Sequence, residues 1–133
     1  MEQFTDDNFC FVCGTSNPHG LQLAFFYNQE TEEAMCHTSF PKHFQGWANV
    51  LHGGLIATVL DETMIKAAEF NGFKCATVEL TVRFKKKALL HKTFTSKGKI
   101  TSVNKRLIET LGSITDSDNI LIATATGKFM TVE

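Results

Sequence analysis

The sequence has almost no excess charge of either sign, because 13 Lys and Arg residues stand against 14 Asp and Glu residues. A chain without a cationic surplus has no bulk attraction to nucleic acid. Its start has no basic segment, and no stretch reaches the ~18 uninterrupted apolar residues that a membrane span needs. These absences predict a cytoplasmic protein that binds neither nucleic acid nor membrane.

Cysteine is also sparse, and without a secretion signal the four residues are expected to be reduced thiols. Cys10 and Cys13 have the spacing of half a zinc site. A structural site needs a second pair of ligands, and only Cys36 and His37 offer neighbouring ligand types. We therefore expect no bound metal. The alternative is that Cys10 and Cys13 are small, buryable residues in a compact turn that ends at Gly14.

No internal repeat, low-complexity tract or linker divides the chain. Its 133 residues suffice for one hydrophobic core and are too few for two ordinary domains. We expect a single domain over residues 1–133.

A long apolar stretch, Leu51–Phe70, predicts a helix that begins near Gly53 and is closed by the stop signal Asn71-Gly72. Apolar residues fall on nearly every side of this helix, which predicts that other elements wrap around it. Asp61 lies inside it. A carboxylate there is costly unless it is paired, hydrogen-bonded or hydrated, so Asp61 is a candidate functional group. In the alternative interpretation it lies on a narrow solvated stripe with other charged residues, namely Glu62, Lys66 and Glu69.

Strand patterns flank the helix on both sides. Two strands are predicted before it, at Leu21–Tyr27 and Glu33–Phe40. After it, apolar residues alternate from Ala76 to Phe84, and this apolar face, which includes Val78, is expected to lie against the helix. Three more β-rich runs follow, at Thr93–Val103, Leu107–Thr115 and Ile120–Thr131. The order predicts an α+β architecture with one helix against one six-stranded antiparallel sheet.

The pattern Gly46-x5-His52-Gly53-Gly54-x6-Asp61, followed by the strand Thr77–Phe84, resembles the hotdog-fold acyl-coenzyme A thioesterases of the phenylacetate-thioesterase (PaaI-like) type. The N-terminal motif Cys10-Phe11-Val12-Cys13-Gly14 also looks like that of many members, and the resemblance extends from about Cys10 to Thr131. It implies a six-stranded antiparallel sheet around one central helix, and hydrolysis of an acyl-coenzyme A thioester without a cofactor. It also implies a homodimer, or a homotetramer built as a dimer of dimers.

The glycines at the helix start are the predicted site for negative charge. Gly53 and Gly54 let a ligand approach the backbone closely, and free N–H groups together with the helix dipole favour an anion. The resemblance makes the N–H of Gly53 the oxyanion donor and Gly54 a substrate-binding residue. It also places His52 beside the thioester carbonyl, with a simple helix cap as the alternative role for this histidine.

The resemblance makes Asp61 either the general base that activates water or the nucleophile that attacks the thioester, and the sequence leaves both roles open. Thr77 lies where relatives carry a serine or threonine that positions the attacking water. Strict alternation puts Thr77 on the face opposite Val78, and a plain strand threonine is the alternative.

The chain departs from its relatives at two places. Many of them carry an asparagine six residues before the histidine, where this chain has Gly46. Gln45 is expected to substitute for it, with Asn49 as the less favoured residue. The second departure is the strand end, where relatives often have proline and then glycine and this chain has Lys87 and His91. Lys85, Lys86 and Lys87 are expected to contribute cations for the phosphates of coenzyme A there, and a solvated strand end is the alternative.

Two other functions remain open, a hydratase or dehydratase of enoyl-coenzyme A on the same fold and a non-catalytic acyl-coenzyme A binding protein. The spacing from His52 to Asp61 favours the thioesterase. The sequence does not specify the acyl group, because aromatic residues in a small domain mostly belong to the core. The aromatic candidates for an acyl pocket are Phe25, Phe26, Phe40, Phe44, Trp47 and Phe70.

Helix geometry predicts that two chains share each active site. Gly53 and Asp61 are eight residues apart, which separates them by ~12 Å along one helix at ~1.5 Å per residue. A reacting thioester needs the oxyanion donor and the attacking group each within roughly 3 Å of its carbonyl atoms. Two antiparallel helices across a two-fold axis would bring Gly53 of one chain beside the partner's Asp61. We therefore expect a dimer that is obligate for activity.

Overall fold

The computed structural model describes residues 4–132, which form a single α-helix, one short 3-10 helix and six β-strands. The helix, α1, spans Gly53–Phe70, and the 3-10 helix spans Lys42–Phe44. The strands are β1 (Phe26–Asn28), β2 (Glu33–Thr38), β3 (Cys75–Phe84), β4 (Phe94–Asn104), β5 (Leu107–Asp116) and β6 (Leu121–Thr131). No helix within residues 4–132 is long and apolar enough to cross a membrane.

The predicted limits of the helix are confirmed at both ends. At its start His52 has an extended backbone, with φ -62° and ψ 134°, and its side chain caps the first turn. At its end the N–H groups of Asn71 and Gly72 donate to the carbonyls of Ala68 and Glu69. Gly72 has φ 87°, in the left-handed region where glycine is favoured, and this conformation ends the helix.

The six strands form one antiparallel sheet in the order β1-β2-β4-β5-β6-β3, and α1 packs against it. The expected α+β architecture is therefore confirmed. Gly98 of β4 lets the helix approach closely, because a Cβ atom there would lie 2.7 Å from the carbonyl oxygen of Thr63. The buried side chains of the helix meet those of the central strands, and the largest fully buried ones are Leu60, Met64, Phe94, Ile108, Ile114, Ile122 and Phe129.

The first predicted strand is wrong over most of its length. Only Phe26 and Tyr27 of the predicted range Leu21–Tyr27 belong to β1. The N–H groups of Leu21 and Leu23 donate instead to the carbonyls of Phe11 and Val12, at 2.7 and 2.9 Å. The segment therefore pairs with the N-terminal loop rather than with the sheet, and the positive φ of Gln22, 52°, interrupts the extended conformation.

The prediction of which β3 residues form the apolar face is also wrong in part. Thr77 pairs with Phe129 and Glu79 pairs with Lys128, so Val78 is the extra residue of a β-bulge. The bulge shifts the alternation by one residue, and Val78 is 61% exposed while the Thr77 hydroxyl reaches the helix. Strict alternation predicted the reverse, with Val78 against the helix and Thr77 on the other face. After the bulge Leu80 and Val82 pack against the core, as the sequence pattern predicts.

One side of α1 remains partly open within the chain, in contrast to the predicted wrapping on nearly every side. Thr58, Asp61 and Ile65 lie on this side and are only half-buried. β3 is an edge strand of ten residues whose second edge is unpaired within residues 4–132. A long unpaired edge beside a half-covered helix is a surface on which a further chain can add.

Candidate active site

The first turn of α1 has one backbone donor without an acceptor. The N–H of Gly54 donates to Nδ1 of His52 at 2.8 Å. The N–H groups of Leu55 and Ile56 both donate to the carbonyl of His52, at 3.0 and 3.2 Å. Within residues 4–132 no acceptor takes the N–H of Gly53. Because the other donors of the turn are used internally, Gly53 presents the free N–H of this helix start.

His52 is the cap of the helix, and this role fixes its tautomer. Its Nδ1 accepts the hydrogen bond from Gly54, so a neutral ring carries its proton on Nε2. A Cβ atom on Gly54 would lie 3.1 Å from Nδ1 of His52, which is tighter than an ordinary contact. Glycine at position 54 therefore allows the ring to fold over the turn, and the Nε2–H of the exposed ring is left as a second donor.

A cleft of about 490 Å³ opens at this helix start. Its lining residues are Gln45, Gly46, Trp47, Leu51, His52 and Gly53. The Oε1 atom of Gln45 accepts the N–H of Asn49 at 3.1 Å, so Gln45 holds the loop closed from within the cleft. Asn49 itself turns the loop with φ 63°. Trp47, one of the aromatic candidates for an acyl pocket, is 86% exposed at the cleft.

Gly46 lies against the histidine. A Cβ atom at this position would be 3.3 Å from Cα and 3.4 Å from Cδ2 of His52. Position 46 therefore has space only for a small residue in the present loop conformation. Gln45 is the neighbouring polar side chain in the cleft, and its substitution for the asparagine of the relatives stays a prediction.

Asp61 lies two turns further along the helix, beside β3. Its Oδ1 atom accepts a hydrogen bond of 2.9 Å from the hydroxyl of Thr77. Burial raises the pKa of Asp61 above its ordinary value, and the Thr77 hydrogen bond opposes this by stabilising the carboxylate. The β-bulge at Val78 makes the contact possible, since it turns Thr77 toward the helix.

The three lysines of the predicted phosphate site are exposed. The N–H groups of Lys85 and Lys86 both donate to the carbonyl of Ile122, at 2.8 and 3.1 Å, which fixes their backbone. None of the three side chains, Lys87 included, forms an ion pair with another residue of 4–132. The ring of Phe84, just before them, lies 3.5 Å from where a Gly53 Cβ atom would be, so the run begins beside the helix start.

The predicted site residues thus form two groups within one chain. The first is the helix-start group of His52, Gly53 and Gln45 with its cleft, and the second is the pair of Asp61 and Thr77. The rise of an α-helix separates Gly53 from Asp61 by ~12 Å. A single thioester carbonyl cannot reach both groups of the same chain.

A third group consists of Cys10, Cys13 and Glu62. Sequence analysis recognised the two cysteines as half a zinc site and missed Glu62. Their ligand atoms lie within 4.8 Å of one another. Glu62 is 49 residues from Cys13 along the chain, and no local pattern links the two. Cys36 and His37 supply no ligand to this group, since Cys36 is buried in β2 and Nδ1 of His37 bonds to Thr95 Oγ1 at 2.8 Å.

The chain matches a family of known proteins over more than half of its length. The matching family is described as the thioesterase superfamily, and the match covers residues 48–123. Among curated proteins the chain is similar to the acyl-coenzyme A thioesterase THEM4 of Rattus norvegicus, with 34% identity over 67 residues. These residues are 50% of this chain and 29% of the rat protein, so the similarity spans less than a third of that relative.

Solved structures have the same fold. A thioesterase superfamily protein of known crystal structure superposes with a TM-score of 0.82 and 25% identity, over 88% of this chain and 60% of that chain. The PaaI protein of the E. coli phenylacetic acid degradation operon has a TM-score of 0.76 and 15% identity, over 85% of this chain and 81% of that one. The hotdog fold implied by the sequence resemblance is thereby confirmed.

Proposed function

The chain belongs to the thioesterase superfamily, and from this premise we propose that it hydrolyses an acyl-coenzyme A thioester to a free acid and coenzyme A. The observation that carries the proposal is the free N–H of Gly53 at the start of α1, where every other donor of the first turn is used internally. The name of the rat relative supports coenzyme A as the thiol.

The helix start acts on the carbonyl oxygen of the thioester. This oxygen gains negative charge as the tetrahedral intermediate forms, and the N–H of Gly53 together with the helix dipole stabilises that charge. A fixed donor of this kind contributes about 3 kcal/mol to the transition state. The Nε2–H of His52 is a second donor at the same place, because Nδ1 is occupied by Gly54.

Asp61 supplies the attacking group, in one of two ways. As a general base it takes a proton from water as the water oxygen bonds to the carbonyl carbon, and collapse of the intermediate breaks the C–S bond and releases the thiolate, which is then protonated. As a nucleophile its own oxygen bonds to the carbonyl carbon and the C–S bond breaks, which releases the thiolate of coenzyme A to be protonated. Water then hydrolyses the mixed anhydride to the free acid and the Asp61 carboxylate. The Thr77 hydroxyl, 2.9 Å from Oδ1, orients the carboxylate in both routes.

The two routes differ in the fate of the water oxygen. Repeated turnover in H2¹⁸O, followed by mass spectrometry of the peptide that contains Asp61, separates them. A general base leaves Asp61 unlabelled. A nucleophile incorporates ¹⁸O into the Asp61 carboxylate whenever water attacks the aspartyl carbonyl of the anhydride.

We further propose that the active site forms between two copies of the chain. The helix-start group and the pair of Asp61 and Thr77 are too far apart to act on one carbonyl within a chain. The unpaired edge of β3 and the half-open side of α1, where Asp61 lies, form one surface. A two-fold axis through this surface gives two equivalent sites, each with the cleft of one chain and the partner's carboxylate.

The lysines at the end of β3 are the proposed phosphate contacts. Lys85, Lys86 and Lys87 begin directly after Phe84, whose ring packs at Gly53. The segment that follows them pairs with the approach to the helix, since the N–H of Leu51 donates to the carbonyl of Ala88 at 2.8 Å. Three exposed cations beside the oxyanion donor suit the phosphates of coenzyme A, and their contribution is screened by salt.

A panel of acyl-coenzyme A substrates assayed for thiol release tests the proposal. We expect release that depends on the free N–H of residue 53. Gly53→Ala is the matched control because it keeps this N–H, and its Cβ atom would meet Phe84 at an ordinary distance of 3.5 Å. Gly53→Pro removes the N–H. Equal release by the Pro and Ala variants, or no release from any thioester by the wild type, would contradict the proposal.

A further inference from the structure

The N-terminal loop brings two thiols to a carboxylate of the central helix. Sγ of Cys10, Sγ of Cys13 and a carboxylate oxygen of Glu62 lie within 4.8 Å of one another, and all three residues are half-buried. The distance between Cys10 Sγ and Glu62 Oε1 is 3.9 Å. Three residues of ligating type from two separate elements therefore converge on one point below the protein surface.

The loop is shaped so that both thiols face the same side. The N–H of Gly14 donates to the carbonyl of Cys10 at 2.8 Å and closes a tight turn. A Cβ atom at position 14 would lie 2.4 Å from the backbone nitrogen of Cys10, so only glycine fits there. The N–H of Val12 points at Sγ of Cys10, 3.4 Å away. The backbone of the turn therefore fixes the position of the Cys10 sulfur.

The two oxygens of Glu62 have different neighbours. Oε1 faces Cys10, whereas Oε2 lies 3.8 Å from Nζ of Lys66. One oxygen is thus directed at the thiols while the other faces a cation. A cleft of about 470 Å³, lined in part by Cys13 and Lys66, opens beside this place and has room for water.

We propose that Cys10, Cys13 and Glu62 form a site for a Zn²⁺ ion with three protein ligands, and that water from the cleft is the fourth ligand in place of a second ligand pair. The ion binds two sulfurs and one carboxylate oxygen, and the two thiol protons leave to the solvent. Two thiolates and a carboxylate carry one more negative charge than Zn²⁺ neutralises, and Lys66 supplies the balancing charge. The site is independent of the proposed hydrolysis, which uses other residues.

The donor set and the distances both suit this ion. Thiolate ligands favour zinc over magnesium and calcium, which take oxygen ligands. Zn–S bonds of ~2.3 Å in a tetrahedral arrangement separate two sulfurs by ~3.8 Å. Since the three ligand atoms lie within 4.8 Å of one another, the cluster has to contract by at most ~1 Å to hold the ion. The bound ion would fix the N-terminal loop, which has no strand of its own, to the central helix.

Metal titration of the full chain tests the site. The purified protein is stripped with a chelator and titrated with Zn²⁺ against a chromophoric competitor, and in parallel with Co²⁺. We expect one ion per chain, a Co²⁺ spectrum with thiolate charge-transfer bands, and an increase in the thermal unfolding midpoint upon addition of Zn²⁺. Cys13→Ser and Glu62→Gln should each weaken Zn²⁺ binding by more than the ~10–100-fold that loss of a supporting outer ligand costs.

Cys75→Ser is the matched control, because Cys75 is a half-buried thiol on β3 outside the cluster. It should bind Zn²⁺ as the wild type does. Circular dichroism establishes whether each variant is folded. If Cys13→Ser does not fold, Glu62→Gln still tests the site. Less than one ion per chain at excess Zn²⁺, equal affinity in Glu62→Gln and wild type, or a Cys10–Cys13 disulfide in the purified protein would overturn the proposal.

Discussion

Two inactive variants of this protein should restore each other's activity when their subunits exchange. Gly53→Pro lacks the proposed oxyanion donor, and Asp61→Asn lacks the proposed attacking carboxylate. In a mixed dimer the Asn chain contributes an intact helix start and the Pro chain contributes an intact Asp61. If the site is shared between chains, one of the two sites of each mixed dimer is complete.

The expected recovery follows from the symmetry. Random exchange in an equal mixture makes about half of the dimers mixed, and each has one working site of two, so about a quarter of the wild-type activity should return. The background, which is the residual activity of each variant alone, is far lower. Loss of an oxyanion donor costs ~10²–10³ in turnover, and loss of a positioned base costs ~10²–10⁴. The recovered signal should exceed the background by at least about 25-fold.

The variants suit the local structure. Proline is favoured at the first position of a helix, where no intrahelical acceptor is available for the N–H. His52 has φ -62° and ψ 134°, the extended conformation that a residue before proline requires. Asp61→Asn keeps the size of the side chain and can still accept the hydrogen bond from Thr77. Neither substitution is expected to disrupt the fold.

The assay measures thiol release while native mass spectrometry of size-tagged chains counts the mixed dimers. A mixture of Asp61→Asn and Asp61→Ala is the control, since both chains lack the same group and no complete site can form. If mixed Pro and Asn dimers are present in the expected proportion and activity stays at the background, the shared-site proposal is wrong.

Three further predictions concern single variants. Asp61→Asn alone should lower turnover ~10²–10⁴-fold. It should also raise the thermal unfolding midpoint at neutral pH. Because the pKa of Asp61 is raised in the folded state, wild-type stability falls as pH rises from the unfolded to the folded pKa, and the Asn variant does not lose stability in this way. The acidic limb of the pH profile of kcat/KM should lie above the ordinary carboxyl range. Thr77→Val should move this limb to higher pH, and Thr77→Ser should leave it in place. If Thr77→Val does not move the limb, the hydroxyl of Thr77 does not act on the ionisation of Asp61. Replacing Lys85, Lys86 and Lys87 by alanine should raise KM for coenzyme A thioesters more at low salt than at high salt, and an equal rise for a truncated thioester without the nucleotide would indicate damage to the fold instead.

Local signals in the sequence predicted the elements that local interactions determine. The helix ran from the predicted Gly53 to the stop at Asn71-Gly72 because caps and glycine conformations act within a few residues. The last three strands also lie within one residue of their predicted limits, since their turns are marked by polar residues. The first strand failed because its hydrogen-bonding partner, the loop around Phe11, was not visible in the local pattern.

The geometry of the site was predictable only where a motif specified it. A β-bulge does not change the composition of a strand, so nothing in the residues Cys75–Phe84 indicated that Val78 is extra and that the Thr77 side chain turns inward. The pairing of Thr77 with the acid was expected from the family resemblance, in conflict with the alternation. The spacing of Cys10 and Cys13 was visible in the sequence, whereas Glu62 had no signal as their neighbour, because this contact depends on how the N-terminal loop packs onto the helix.

The two adjacent carboxylates of the helix illustrate how one element can serve two purposes. Successive helical side chains project about 100° apart, so Asp61 points toward Thr77 and β3 while Glu62 points toward the thiols and Lys66. Burial raises the pKa of both, and the charge of Asp61 further raises that of Glu62. Each carboxylate has its own group that opposes this rise. Lys66, 3.8 Å from Glu62, lowers the pKa of Glu62, and the Thr77 hydroxyl lowers that of Asp61.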